Sequence, residues 1–418
     1  MNTARRPSAV IVGAGIGGLC AALALRGIGW DATVLERRDR MADGGSGISL
    51  WPNAMRVLER LGVADQLADL AAPLSADGGL RTPSGRWLTR ARPGDAPLIE
   101  VVLLHRADLH SVLRAALPEG CVRAGVAVDG LTGFAAGQGQ SEAQAQPEAL
   151  AQSGAPAEPE GKASAPVKEP LRVLASGAAG RFELAADLVI AADGVHSTLR
   201  SLIFPSSAPP VYSGHTTWRG ITPAGAVDVA GGGETWGSGV KFGHLPLRDQ
   251  QVYWFAERNA PRGGRNEDER AALLDTFTGW HAPIGELIRA TPPQRILRLD
   301  VEYLPDLPSY VRGAAALLGD AAHAMTPDLG QGGCQAIEDA AVLAAHLAGA
   351  ADVPAALLRY DQDRRARTQA IARSARRMGK FSQLSNPAAV ALRNTAIRLT
   401  PARAALRPLQ RISNWTPP

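Results

Sequence analysis

The chain has 418 residues, 45% of them apolar, and a formal net charge of +4. That length buries a sizeable core in two domains, and no uninterrupted apolar stretch is long enough for a bilayer, which argues against a membrane-spanning protein. Cys20, Cys121 and Cys334 are odd in number and far apart. They exclude a disulfide scaffold and a C-x-x-C metal centre, and they suit a reducing cytoplasm.

The first predicted element is a buried parallel strand at residues 9–12. Gly13, Gly15 and Gly18 follow as G-x-G-x-x-G, with Ile16 and Gly17 inside the pattern. The first glycine permits a tight turn, the second lets backbone approach a pyrophosphate, and the third lets strand and helix pack closely. A helix over 16–26 then turns its N-terminus to the phosphate oxygens. Residues 31–35 read as the next strand. Glu36 stands at its end, 23 residues after Gly13, where an acid binds a ribose 2′-hydroxyl, and Arg37 is grouped with it. An acid there disfavours a 2′-phosphate, so the adenosine of FAD or NAD is expected rather than that of NADP. Arg5-Arg6 precede an uncharged run over 8–25, but four glycines break that run and fit a dinucleotide fold better than an export signal.

Residues 71–100 leave this sheet, and 81–90 read as a hairpin into a second domain. The chain returns at 101–204, where Arg106 opens a helix within reach of phosphate or flavin oxygens. Inside that stretch, 135–170 is rich in Ala, Gln, Glu, Pro and Gly, lacks aromatic residues, and is expected to be a disordered insertion. Residues 185–200 give a strand, the pair Asp193-Gly194 and a helix capped by Ser197. Aromatic, β-rich sequence falls at 205–298 and predicts a mostly antiparallel sheet. Alternation there puts Tyr253 and Phe255 on one face and Trp254 on the other. Residues 313–318 feed a strand ending at Gly319-Asp320, whose aspartate points into the ligand crevice. Gly330, Gln331, Gly332 and Gly333 then open a helix over 334–347. Their crowding beside Pro327 suggests a flat ring lying against backbone, its developing negative charge facing the helix N-terminus. From residue 359 onward, 13 Lys/Arg stand against Asp361 and Asp363, so this segment carries +11 and the rest −7. It reads as a solvated basic helix packed on the first domain, ahead of peripheral contact with anionic lipid. Nucleic acid is not expected, because no such motif accompanies the charge.

The expected fold is therefore α/β. A Rossmann-like FAD-binding domain with a mostly parallel sheet takes 1–70, 101–204 and 299–355. A smaller substrate domain on a mostly antiparallel sheet takes 71–100 and 205–298, and a basic C-terminal helical segment takes 356–418.

Taken together, the glycine fingerprint at 13–18, Asp193-Gly194 and Gly319-Asp320 resemble the single-component FAD-dependent aromatic monooxygenases, the para-hydroxybenzoate hydroxylase family. Residues 45–62 match the region after that family's second strand, and the resemblance covers nearly all of 8–375. Within the family, Trp218, Gly220, Lys241, Tyr253 and residues 326–333 resemble the FAD-dependent urate hydroxylase branch. That branch has an arginine where Lys241 stands, and an ammonium does not make a guanidinium's planar two-pronged contact, which argues against urate itself.

The resemblance implies that NADH or NADPH reduces FAD, that oxygen adds at the flavin C4a position, and that the hydroperoxide hydroxylates an electron-rich aromatic or heteroaromatic small molecule. A base that deprotonates the ring adds about 10²–10⁴-fold, and water must be excluded. The catalytic candidates are Asp328 as base, Tyr253 to orient or relay, and Lys241 to hold an anionic substrate. Trp218, Arg219, His215, His244 and Pro327 are substrate-binding candidates. Gly13, Gly15, Ile16, Gly17, Gly18, Glu36, Arg37, Arg106, Asp193, Gly319, Asp320, Pro327, Gly330, Gly332 and Gly333 are expected around FAD. The same motifs permit epoxidation or a Baeyer–Villiger-type insertion on a larger natural product, or a flavin reductase or dehydrogenase without oxygen insertion.

Overall fold

The computed structural model describes residues 5–39, 46–72, 78–91, 100–134 and 170–418. The low-complexity stretch expected at 135–170 falls outside them, Pro170 excepted. The first domain is built on a six-stranded sheet. From edge to edge it runs Val311–Arg312, Ala315–Leu317, Leu188–Ala191, Ser8–Val12, Asp31–Glu36 and Val122–Ala124. Every pairing in it is parallel except the first. Its central strands are continuous Val, Ile, Leu and Ala because both faces are covered. The helix Ile16–Gly27 packs on the helix Gly332–Leu347, and both start at the carboxyl ends of these strands. Ligands of open α/β sheets bind at that edge.

The chain leaves this sheet to build a second one of seven strands. Its order is Leu297–Tyr303, Val211–Ile221, Val252–Asn259, Val240–Pro246, Gly232–Trp236, Gly78–Arg81 and Trp87–Ala91. The hairpin expected at 81–90 is the last pair of strands. All pairings are antiparallel except that of Gly232–Trp236 with Gly78–Arg81. The sheet extends through Tyr303, so the boundary at 298/299 falls inside its edge strand. One face carries the aromatic core, where Phe242 stacks on Trp254 at 5.5 Å between ring centres and Phe277 meets Phe242 edge-on at 5.3 Å. The other face turns to the first domain.

The C-terminal segment forms the helices Val353–Ser382, Pro387–Leu399 and Ala402–Ser413. Asp352 caps the first by accepting from the Ala355 N–H, and Asn386 caps the second. The long helix packs on the first domain as expected, but the segment is not solvated throughout. Arg364 and Arg393 are among the largest fully buried side chains. The Arg364 guanidinium pairs with Glu338 and Asp339, both contacts at 2.6 Å. Arg393 donates to the carbonyls of Ser382 and Gly237 at 2.7 and 2.9 Å. These two charges are spent inside the fold, because buried cations persist only where carboxylates or carbonyls meet them, whereas Arg359, Arg377, Lys380, Arg398 and Arg411 stay exposed.

Candidate active site

A cavity of about 610 Å³ lies between the two sheets and runs from Gly15 to Gly333. Two helix N-termini open into it. Neither Ile16–Gly27 nor Gly332–Leu347 has a side-chain cap, so their first N–H groups are free for a ligand. The glycines divide the work. A Cβ on Gly18 would lie 2.0 Å from the Gly13 carbonyl oxygen, so this position serves strand–helix packing. A Cβ on Gly15 would meet nothing within 4 Å, so its backbone is open to an approaching group. Glu36 accepts from the Ala14 N–H at 2.9 Å and the Arg38 N–H at 3.0 Å, which fixes it against the turn. Arg37 is exposed beside it.

At the far end, Gly319 precedes Asp320, which has no side-chain hydrogen bond among the described residues and lines the cavity. The turn Pro327–Leu329 and Gly330 follow, and Gly330 at φ 61° occupies the left-handed region that glycine tolerates. Arg106, at the start of the helix Arg106–Ala115, reaches the same cavity, its guanidinium without a hydrogen-bond partner among the described residues. The surrounding protein lowers its guanidinium pKa by burial, against the opposing pull of Asp320. A long dinucleotide fits this donor set. Gly15, Ile16 and Gly17 would hold its pyrophosphate, Glu36 its ribose, Asp320 the polyol linker, and Gly332, Gly333 and Arg106 the oxygens of a ring.

The substrate sheet supplies the rest. Residues alternate strictly along its strands. Lys241 and Leu245 face the cavity, whereas Phe242 packs in the core. Tyr253, Phe255 and Glu257 line the cavity, whereas Trp254 is fully buried on the other side and donates to Thr291 at 2.8 Å. Burial raises the Tyr253 phenol's pKa, keeping it neutral. Thr217 and Arg219 face inward as well.

Lys241 sits at the centre, 3% exposed. Its ammonium lies 2.7 Å from Asp328 Oδ1 and 3.0 Å from Glu257 Oε2. Burial alone would lower the ammonium's pKa, but Glu257, Asp328 and Glu234 outweigh it and raise it. Burial likewise works against the Asp328 carboxylate, yet Lys241 holds it below the ordinary range. Glu234 is raised by burial, with Lys241 and the Trp236 N–H only partly offsetting this.

Several predicted residues lie elsewhere. Trp218 is in the core, donating to Glu269 at 2.8 Å, because alternation turns it away from Thr217 and Arg219. His244 is on the face opposite Lys241 and lines a separate cavity with Arg81 and Trp87. Burial, first, and the charges of His281 and Arg81 lower its pKa to about 4. His215 stands behind Glu257 at 3.7 Å and opens to a different cavity. Asp193 accepts from the Ser197 hydroxyl and the Leu199 N–H, organising the start of the helix Thr198–Ile203, while its neighbours Ala192 and Gly194 line the main cavity. Glu234 and Glu257 were not anticipated. The alternation that placed Tyr253 and Phe255 together also reaches Glu257, so that residue was within the sequence signal.

The profile of the FAD binding domain family matches residues 6–375. The chain belongs to that family. The flavoprotein is 35% identical over 401 residues to aurachin C monooxygenase/isomerase of Stigmatella aurantiaca, covering 93% of each chain. It is 31% identical to FAD-dependent urate hydroxylase of Klebsiella pneumoniae, over 90% of this chain and 92% of that one. Among solved structures it superposes on a single-residue variant of K. pneumoniae HpxO complexed with FAD. The TM-score there is 0.82 at 27% identity, over 98% of both chains. FAD is the cofactor, and the homologues are FAD-dependent hydroxylases and monooxygenases. The two ends joined by one cavity agree with that placement.

Proposed function

We propose that this flavoprotein hydroxylates a neutral, electron-rich heteroaromatic small molecule, using NADH or NADPH and O2. Bound FAD supplies the reducible ring that accepts electrons and activates oxygen. The observation that carries the substrate class is the state of Lys241. Its charge is already matched by Asp328 and Glu257, with Glu234 as a third acid nearby. Immediately beside Lys241 a ring carboxylate would meet Asp328 and Glu257, whereas a ring N–H or O–H would find acceptors there; Arg219 and Arg106 stand in the same cavity beyond this cluster.

An ammonium has three N–H donors; here one is hydrogen-bonded to Asp328, while Glu257 stands as an ion-pair partner at 3.0 Å. A further donor is available to a ring oxygen, where it stabilises negative charge as that oxygen ionises. The Asp328 carboxylate is only 1% exposed and lies beneath Lys241. In this proposal it acts through Lys241, holding the ammonium charged and in place, rather than as a base on the ring. Tyr253 and Phe255 would flank the ring and keep water away.

The test is NAD(P)H oxidation and oxygen uptake by FAD-loaded protein, with products identified by mass spectrometry. The panel holds hydroxyquinolines, hydroxyindoles, urate and hydroxybenzoates. Coupled hydroxylation of the neutral bicyclic rings is expected, with urate and the hydroxybenzoates, both anions, at much lower kcat/KM. Equal turnover of carboxylated rings would overturn the electrostatic argument. A panel in which no ring raises NAD(P)H consumption above background would overturn the monooxygenase reading.

A further inference from the structure

A second cavity of about 580 Å³ lies against the long C-terminal helix Val353–Ser382. Arg373, Arg376, Arg377 and Lys380 line it at spacings of three and four residues, hence on one face of that helix. At 1.5 Å per residue the row covers about 10 Å. Among the described residues no carboxylate lines the cavity. Arg373 is paired with Asp306, and Arg376 lies over the Tyr303 ring at 4.5 Å. Arg377 and Lys380 are exposed and have no carboxylate partner among the described residues. Two uncompensated cations in a concave site, flanked by two further arginines, form a receptor for anions.

A second observation points to a ligand. Gln383, only 7% exposed, lines this cavity, and neither its amide nitrogen nor its amide oxygen has a hydrogen-bond partner among the described residues. A buried amide with both ends unpaired costs free energy unless something fills the space beside it. The cavity also adjoins the site already described, since Thr326 lines both. A group bound here is one side chain away from the loop that carries Pro327 and Asp328.

We propose that this cavity binds the diphosphate portion of a nicotinamide dinucleotide. The length of the cation row suits two linked phosphates better than one carboxylate, and the shared wall leads toward the flavin end of the main cavity. The assignment rests on NADH or NADPH being the reductant, as proposed above. A free nucleoside diphosphate offers the same chemistry, so the experiment separates the two.

FAD-loaded wild type and the double variant Arg377→Gln/Lys380→Gln are titrated calorimetrically with ADP, and the KM for NADH and NADPH is measured on both. Circular dichroism and flavin content confirm folding. The expected result is ADP binding that weakens about tenfold or more in the variant, with a parallel rise in the KM of the dinucleotide. Affinity for the aromatic ring should not change. ADP binding that weakens while the dinucleotide KM stays constant overturns the donor assignment and marks a free-nucleotide site. ADP binding that is absent, or equal in both proteins, overturns the site. A wild type that oxidises neither NADH nor NADPH overturns the reductant reading instead, and the ADP titration still decides what the cavity binds.

Discussion

Lys241 shows how one side chain sets the character of a pocket. Replacing it with methionine leaves Asp328 and Glu257 buried without a cation, so Lys241→Met is expected to lower kcat by about 10²-fold. Flavin content should hold, because the cofactor donors lie on other elements. Asp328→Asn tests the indirect role. It keeps the shape but loosens the ammonium, and hydroxylation is expected to fall by about tenfold or more with FAD still bound and reducible. The folded-state pKa of Asp328 is depressed. Its ion pair therefore contributes fully above the ordinary carboxylate range and is lost as pH falls through the lowered value. The acidic limb of the pH–kcat profile should follow that loss in wild type and flatten in Asp328→Asn. An unchanged acidic limb would remove Asp328 from the mechanism. The sequence carried Lys241, Tyr253 and Asp328 as candidates because they sit among motif residues. It hid Glu234, because an acid in a strand reads as a solvent-facing residue. It misplaced Trp218, because an aromatic that lines a pocket and one that fills a core look alike without the sheet's two faces.

Between side chain and fold stands the seam joining the helices Gly332–Leu347 and Val353–Ser382. Asp339 accepts from the Gly319 N–H at 2.9 Å, His323 at 2.7 Å and Arg364 at 2.6 Å. Glu338 meets Asn53, Arg364 and Arg367. The seam thus ties the backbone before Asp320 to the C-terminal helix. Removing one partner of a buried pair costs about 3–5 kcal/mol. Arg364→Met is expected to lose stability on that scale by urea denaturation, together with weaker FAD retention. Burial opposes ionisation of Asp339, but His323 and Arg364 bring its pKa down to about 2. Its contribution should be complete above about pH 4 and disappear as pH falls to about 2, which acid unfolding followed by circular dichroism measures. The helix Gly332–Leu347 was visible in its apolar spacing and glycine start, and Val353–Ser382 only as part of a basic helical segment. That Arg364 points inward was not, because a run of cations has the same composition whether a member faces water or buried carboxylates.

For the molecule as a whole, the cavity between the two sheets is where stability and function meet. A ligand that binds only the folded state stabilises it by mass action, by about 4 kcal/mol at a thousandfold excess over Kd. Flavin-free protein should therefore melt several degrees below the FAD-loaded form, by an amount that rises with FAD concentration. A melting temperature indifferent to FAD would contradict the two uncapped helix starts as its holders. The architecture was legible because the two glycine-rich segments lie at the carboxyl ends of neighbouring parallel strands, where any such ligand must sit.

The side-by-side pairing of Gly78–Arg81 with Gly232–Trp236 has a consequence for how the molecule comes together. Some 150 residues separate these two strands along the chain, and every loop closed over that distance slows assembly. The seven-stranded sheet cannot finish until an early hairpin, made long before, is captured by late strands. The two halves are stitched rather than strung, so residues 205–303 expressed alone should expose an unpaired strand edge and aggregate, and recover order only when the missing hairpin is supplied.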